Sequence, residues 1–155
     1  MRTIENVSAL QALVGQAVAD SGWLTMTQDR ISAFAEATGD SQWIHLDAAR
    51  ARAESPYGTT IAHGFLTLSL VTAMHFDAVK VGELRMAINY GLNRVRFMSP
   101  VTCGSRIRGR FTLASVEDVK DAKQAVWDVT IEREGSDKPV AVVEWVVRYY
   151  PVPVS

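Results

Sequence analysis

The spacing of apolar side chains changes period about halfway along the chain. In the first half it is helical. Val7, Leu10, Leu13 and Val14 suit a short helix within residues 4–14. Residues 17–23 have no clear period, and a first strand is one reading of them. Thr27 is placed as the N-cap of a helix whose core face is Ile31, Phe34 and Ala35, and Gly39 is placed as its C-cap. Residues 47–53, rich in alanine and arginine, predict another short helix, and Ser55-Pro56-Tyr57-Gly58 breaks it. The strongest helix runs over Ile61–Val79. Its residues Phe65, Leu66, Leu68, Leu70, Val71, Ala73 and Met74 leave almost no polar face, which predicts burial on several sides, with His75 turned outward.

From residue 86 onward the pattern becomes strand-like. Met86–Leu92, Arg94–Phe97, Ser105–Val116, Gln124–Arg133 and Val140–Tyr150 read as strands, with turns at Asn93, Ser99-Pro100, Glu117–Asp121 and Gly135-Ser136-Asp137. Helices first and strands after predict an α+β fold, a mostly antiparallel sheet wrapped on one buried helix. Residues 1–155 are read as one domain, since no linker or repeat divides them. No glycine-rich loop follows a strand, which argues against a doubly wound nucleotide-binding sheet.

Composition narrows the function. Sixteen basic against seventeen acidic side chains, net charge -1, give no electrostatic case for nucleic acid. His63, Gly64, Thr67, Ser69, Thr72 and His75 interrupt the most apolar stretch, so no membrane span is expected. The first residues carry Glu5 and lack a long apolar core, unlike a secretory signal. Cys103 is the single cysteine, so no internal disulfide forms and a reducing, cytoplasmic setting is expected.

The candidate chemistry begins just past the first long helix. In the run Ala35-Glu36-Ala37-Thr38-Gly39-Asp40-Ser41-Gln42-Trp43-Ile44-His45-Leu46-Asp47, a carboxylate and an imidazole lie five residues apart, with Trp43 and Ile44 available to anchor the loop. A carboxylate can serve as base and a histidine as donor or acceptor near neutral pH. In Ile61-Ala62-His63-Gly64-Phe65, a glycine stands near the start of the apolar helix, where unpaired N–H groups suit a developing negative charge. No HExxH or paired-cysteine pattern occurs. His45 and His63 are eighteen residues apart with no evident third ligand, so no metal site is expected. Arg106, Arg108 and Arg110 share one strand face, as do Arg94 and Arg96 on a neighbouring element; guanidinium groups suit phosphates, and a solvated sheet face is the equal alternative. Thr72 is read as a hydroxyl bonding back to its own helix, Tyr57 as part of a lid, and Trp127, Trp145, Tyr149 and Tyr150 as packing or subunit contacts.

The segment Phe34–Asp47 with Ile61-Ala62-His63-Gly64, and the later run Ile88–Val101, resembles the MaoC-like dehydratases, the (R)-specific enoyl-CoA hydratases of the hotdog superfamily. The likeness spans roughly residues 15–150. Gln42-Trp43 stands where that family usually has Asn-Pro, marking a variant branch. The resemblance implies a hotdog fold, a homodimer with its site at the subunit interface, and reversible syn addition of water to a trans-2-enoyl-CoA. It implies Asp40 as the base that activates water, His45 as the partner that orients it, and the Gly64 N–H as donor to the thioester oxygen. His63 is given a loop-shaping role. The acyl substrate enters as a thioester of coenzyme A or of an acyl-carrier protein, with no cofactor beyond coenzyme A as part of that substrate; Arg94, Arg96 and Arg106 are the expected contacts to the coenzyme A phosphates. A hotdog thioesterase and a non-catalytic acyl-thioester-binding domain remain as alternatives.

Overall fold

The computed structural model describes residues 1–153; the last two residues of the expected 1–155 domain lie outside the described residues. The chain runs β1 (Arg2–Ile4), a 3₁₀ helix (Val7–Leu13), β2 (Ala17–Asp20), β3 (Leu24–Thr25), α1 (Gln28–Thr38), α2 (Trp43–Leu46), α3 (Ala48–Glu54), α4 (Gly64–Ala78), β4 (Val79–Val81), β5 (Leu84–Phe97), β6 (Arg106–Val119), β7 (Ala122–Arg133) and β8 (Ala141–Pro151). The main sheet has the order β2-β6-β7-β8-β5, with β3 also pairing β6, and all of these pairs are antiparallel. β1 and β4 form a separate parallel pair. The sheet wraps α4, the hotdog arrangement.

Local chemistry explains where α1 starts and stops. The Thr27 side chain accepts a hydrogen bond from the Arg30 N–H, and Gly39 takes the left-handed conformation at φ 79° that a C-cap requires. α4 holds the sheet by Leu66, Leu70, Val71, Met74 and Ala78, which join Phe111, Trp127, Val129, Ile131 and Val147 in one core.

Three expectations change. The early segment is a 3₁₀ helix, held by the Asn6 side chain accepting from Ala9 N–H. Asn93 does not divide two strands: β5 runs unbroken through it, absorbing it with register shifts against β8 at Asn89/Gly91 and Leu92/Arg94. On α4 one residue faces the other way from expectation. Phe65 and Phe76 are exposed on one side, while His75 points inward at 4% exposure. The apolar cage of Phe111, Trp127 and Trp145, with ring centroids 5.0–5.2 Å from His75, accounts for that inward turn.

Candidate active site

The Gly39 C-cap ends α1 and turns the chain back, so Asp40 leaves the helix exposed while the next five residues lead to His45. His45 lies in α2 and is 7% exposed. Its Nδ1 is 2.7 Å from the main-chain oxygen of Ile61. A carbonyl oxygen only accepts, so Nδ1 carries the hydrogen, and in the neutral ring this leaves the lone pair on Nε2. The main chain repeats the link, since Ile61 N–H donates to Ile44 O at 3.1 Å.

His63 belongs to the same cluster. Its ring stacks on His45 with centroids 3.8 Å apart and planes 25° apart, and Phe34 covers it at 5.0 Å. Its Nε2 donates to the main-chain oxygen of Asp40 at 2.9 Å, and its Nδ1 is buried without a hydrogen-bond partner among the described residues. His63 therefore touches both residues of the expected pair, a contact more direct than shaping a loop.

The Asp40 carboxylate and the two imidazoles each bring a potential ligand atom within 4.8 Å of the others. Asp40 is thus the third metal-capable group that sequence spacing did not reveal. The rings, however, stack on one another with their planes 25° apart, and each lone pair lies in the plane of its own ring. One nitrogen of each ring is also committed to a carbonyl. The arrangement suits proton handling better than joint coordination of one ion.

Gly64 is the first residue of α4, and among the described residues no side chain caps that helix start. Its N–H stands among the unpaired donors of a helix N-terminus. Gly64, Tyr57, Thr67, Phe97, Met98 and Val140 line a groove of about 380 Å³. A Cβ at position 64 would sit 3.3 Å from the Phe97 ring, so glycine leaves the close approach of that ring intact. Tyr57 borders this groove.

The arginines of β6 are ion-paired. Arg106, Arg108 and Arg110 do share a face, yet each meets a carboxylate: Arg106 Nη1 lies 3.0 Å from Glu134, Arg108 Nε 2.9 Å from Glu132, and Arg110 reaches both Glu132 and Asp20. Arg94 on β5 is in register with Glu144 on β8. Arg96 donates to the main-chain oxygen of Val95 at 2.8 Å and has no carboxylate within ion-pair distance among the described residues. Thr72 does not bond back to its helix; its hydroxyl lies 3.4 Å from Asn89 Nδ2 and faces a second groove between α4 and β5. Trp43, in the place of the expected proline, lies half-buried with the Arg50 guanidinium 4.3 Å above its ring.

Two residues near the site carry no sequence signal. The Gln28 side-chain amide donates from Nε2 to the main-chain oxygen of His45 at 2.8 Å, and its Oε1 accepts from Thr60 Oγ1 at 2.6 Å. They are thirty-two residues apart in the sequence, and only the fold brings them together.

Known proteins bear on this geometry. A family model described as MaoC like domain matches residues 9–135. The chain is 50% identical over 150 residues to the 3-hydroxyacyl-thioester dehydratase Z of Mycobacterium tuberculosis, covering 96% of this chain and 99% of that protein. It is 48% identical over 136 residues to nodulation protein N of Rhizobium leguminosarum, covering 86% and 84%. Among solved structures, a MaoC-like dehydratase from Rhodospirillum rubrum aligns with TM-score 0.72 at 21% identity, covering 91% of this chain and 94% of that one. An R-hydratase from Pseudomonas aeruginosa aligns with TM-score 0.69 at 24% identity, covering 92% and 87%. At those identities the structures speak for the fold.

Proposed function

The chain belongs to the MaoC-like domain family, and on that premise we propose that it is an (R)-specific enoyl-thioester hydratase, adding water reversibly to a trans-2-enoyl-CoA to give an (R)-3-hydroxyacyl-CoA. The observation that carries the reading is the fixed tautomer of His45 beside Asp40, at the open end of α4. The 3-hydroxyacyl-thioester dehydratase named above, half identical over nearly the whole chain, supports the same substrate class.

The steps follow from the side chains. His45 Nε2 accepts a hydrogen bond from water and orients its oxygen toward C3. Asp40 takes a proton as the C3–O bond forms and the alkene electrons move through C2 onto the thioester oxygen. The Gly64 N–H and the α4 dipole stabilise that oxyanion. The Asp40–His45 pair then returns a proton to C2 from the face on which water was added, which makes the addition syn. Of Arg94, Arg96 and Arg106, only Arg106 is ion-paired among the described residues, which leaves Arg94 and Arg96 as the first to consider for the coenzyme phosphates.

Four further points belong to this reading. Residues 1–155 act as one domain. Gln42-Trp43 marks a branch in which Trp43 and Arg50 stiffen the loop after Asp40. The protein works as a homodimer in the cytoplasm, where its single cysteine needs no oxidising partner. Supporting the dimer, β5 is a fourteen-residue edge strand with Ile88, Tyr90 and Leu92 all exposed above 40%, and α4 exposes Phe65 and Phe76.

Loss of enoyl-thioester absorbance on trans-2-butenoyl-CoA, read together with a thiol reagent, tests the activity. Absorbance loss without free thiol is the expected result, with the (R)-3-hydroxy acid recovered on chiral chromatography. Thiol release would move the assignment to a thioesterase. Silence on this and on longer enoyl-CoA and acyl-carrier thioesters would leave an acyl-binding domain.

A further inference from the structure

We propose that Gln28, acting with Thr60, is a positioning residue that sets the place of His45 in the active site; this rests on the hydratase reading above. The imidazole of His45 is gripped by the Ile61 carbonyl. That grip fixes the ring relative to residue 61, and the His63 stack covers one of its faces. The grip aligns His45 with Asp40 only if the strap carrying Ile61 and the backbone of α2 keep one separation.

The Ile61 N–H to Ile44 O bond is one tie between them, and Gln28 is a second. Its side chain stands at the first position of α1 and spans the two segments. One end of its amide holds the His45 carbonyl at 2.8 Å, and the other receives the Thr60 hydroxyl at 2.6 Å. Thr60 is 1% exposed and immediately precedes Ile61, so it cannot drift without moving the ring's anchor. The strap is itself held to the sheet side, because Cys103 N–H donates to Thr60 O at 2.9 Å and Ala62 N–H to Val101 O at 2.8 Å. α1 completes the frame: Gln28 at its start ties His45, and Gly39 at its end delivers Asp40. One helix therefore registers both residues. A planar amide is well suited here, because it presents a donor and an acceptor on one rigid group.

Three variants separate the two arms. Gln28→Met keeps the length and removes both hydrogen bonds. Gln28→Glu keeps the acceptor toward Thr60 and removes the donor toward His45. Thr60→Val removes only the other arm. A misplacement of the order of 1 Å can cost about 10²-fold in rate. The expectation on trans-2-butenoyl-CoA is a fall in kcat of about 10- to 10²-fold for Gln28→Met and Gln28→Glu, with KM within about twofold of wild type. Thr60→Val falls less, and Gln28→Met/Thr60→Val is no slower than Gln28→Met alone, because the two residues act through one link. Denaturation midpoints read alongside expose simple loss of folding.

A second readout does not depend on turnover. In nitrogen-resolved NMR, the His45 Nδ1–H is protected from solvent exchange in the wild type, and Gln28→Met removes that protection. Unchanged kcat and unchanged exchange in the folded Gln28→Met variant would overturn the proposal, as would a kcat loss that follows the loss of stability alone. If the wild type shows no hydration, the activity assignment fails, and the exchange measurement still decides whether Gln28 places His45.

Discussion

Lowering the pH should destabilise this protein through one residue in its core. His75 lies on the inner face of α4, 4% exposed, among Phe111, Trp127 and Trp145, and its Nε2 has no hydrogen-bond partner among the described residues. Burial lowers its pKa from 6.5 to about 4. The sign follows from linkage. Between those two values the unfolded chain binds a proton at this position and the native protein does not, so stability is complete above about 6.5 and falls as pH drops toward 4. Between pH 7.5 and pH 5.0 the one group costs about 2 kcal/mol, from about 1.4 kcal/mol for each unit of pH below the unfolded value. His75→Phe keeps a ring in the cage and removes the titration. Urea unfolding of both proteins at the two pH values measures the difference directly. The wild type should lose about 2 kcal/mol more than His75→Phe over this interval. Equal losses in the two proteins would refute a neutral, buried His75 as the acid-sensitive point of the core.

Three other outcomes follow from the same structure. Tyr149→Phe should cost about 1–3 kcal/mol in unfolding free energy, because the buried Trp127 indole N–H, which donates to the Tyr149 hydroxyl at 3.0 Å, is left unpaired. Gly64→Ala should raise KM for trans-2-butenoyl-CoA while changing stability by less than about 1 kcal/mol, since the added methyl meets the half-exposed Phe97 ring at 3.3 Å and that ring can yield; an unchanged KM would show that no thioester lies against position 64. Ile88→Glu on the exposed edge strand β5 should convert a dimer to monomer in sedimentation equilibrium, and a wild-type monomer would contradict the dimer outright.

What sequence reasoning could and could not reach depends on distance along the chain. The Thr27 cap, the Gly39 stop and the emergence of Asp40 beside them are local events, decided within a few residues, and the structure places them as read. His45 is close enough to Asp40 for spacing to suggest the pair. Its tautomer was not legible, because the deciding partner is the main chain of Ile61, sixteen residues on. His63 shares the limitation: its stack on His45 and its bond to the Asp40 carbonyl are tertiary contacts. The outward placement of His75 failed for another reason. A helix apolar nearly all round does not declare which side meets the sheet, and the aromatic cage lies on β6, β7 and β8. The arginine ladder on β6 follows from period two alone, but its carboxylates lie across the hairpin, Glu132 on β7 and Glu134 just past its end, so spacing showed the charge and hid the pairing. Asn93 reads as a turn, and only the register of β8 against β5 shows that the sheet takes it up.

The central claim is water addition by Asp40 with His45, and the most direct measurement compares the wild type with Asp40→Asn on trans-2-butenoyl-CoA, following the enoyl-thioester absorbance. Asparagine keeps the shape and cannot take the proton. The account predicts rapid loss of absorbance with the wild type and a rate lower by roughly 10²–10⁴ with Asp40→Asn at equal folding. Hydration by Asp40→Asn at the wild-type rate would contradict it.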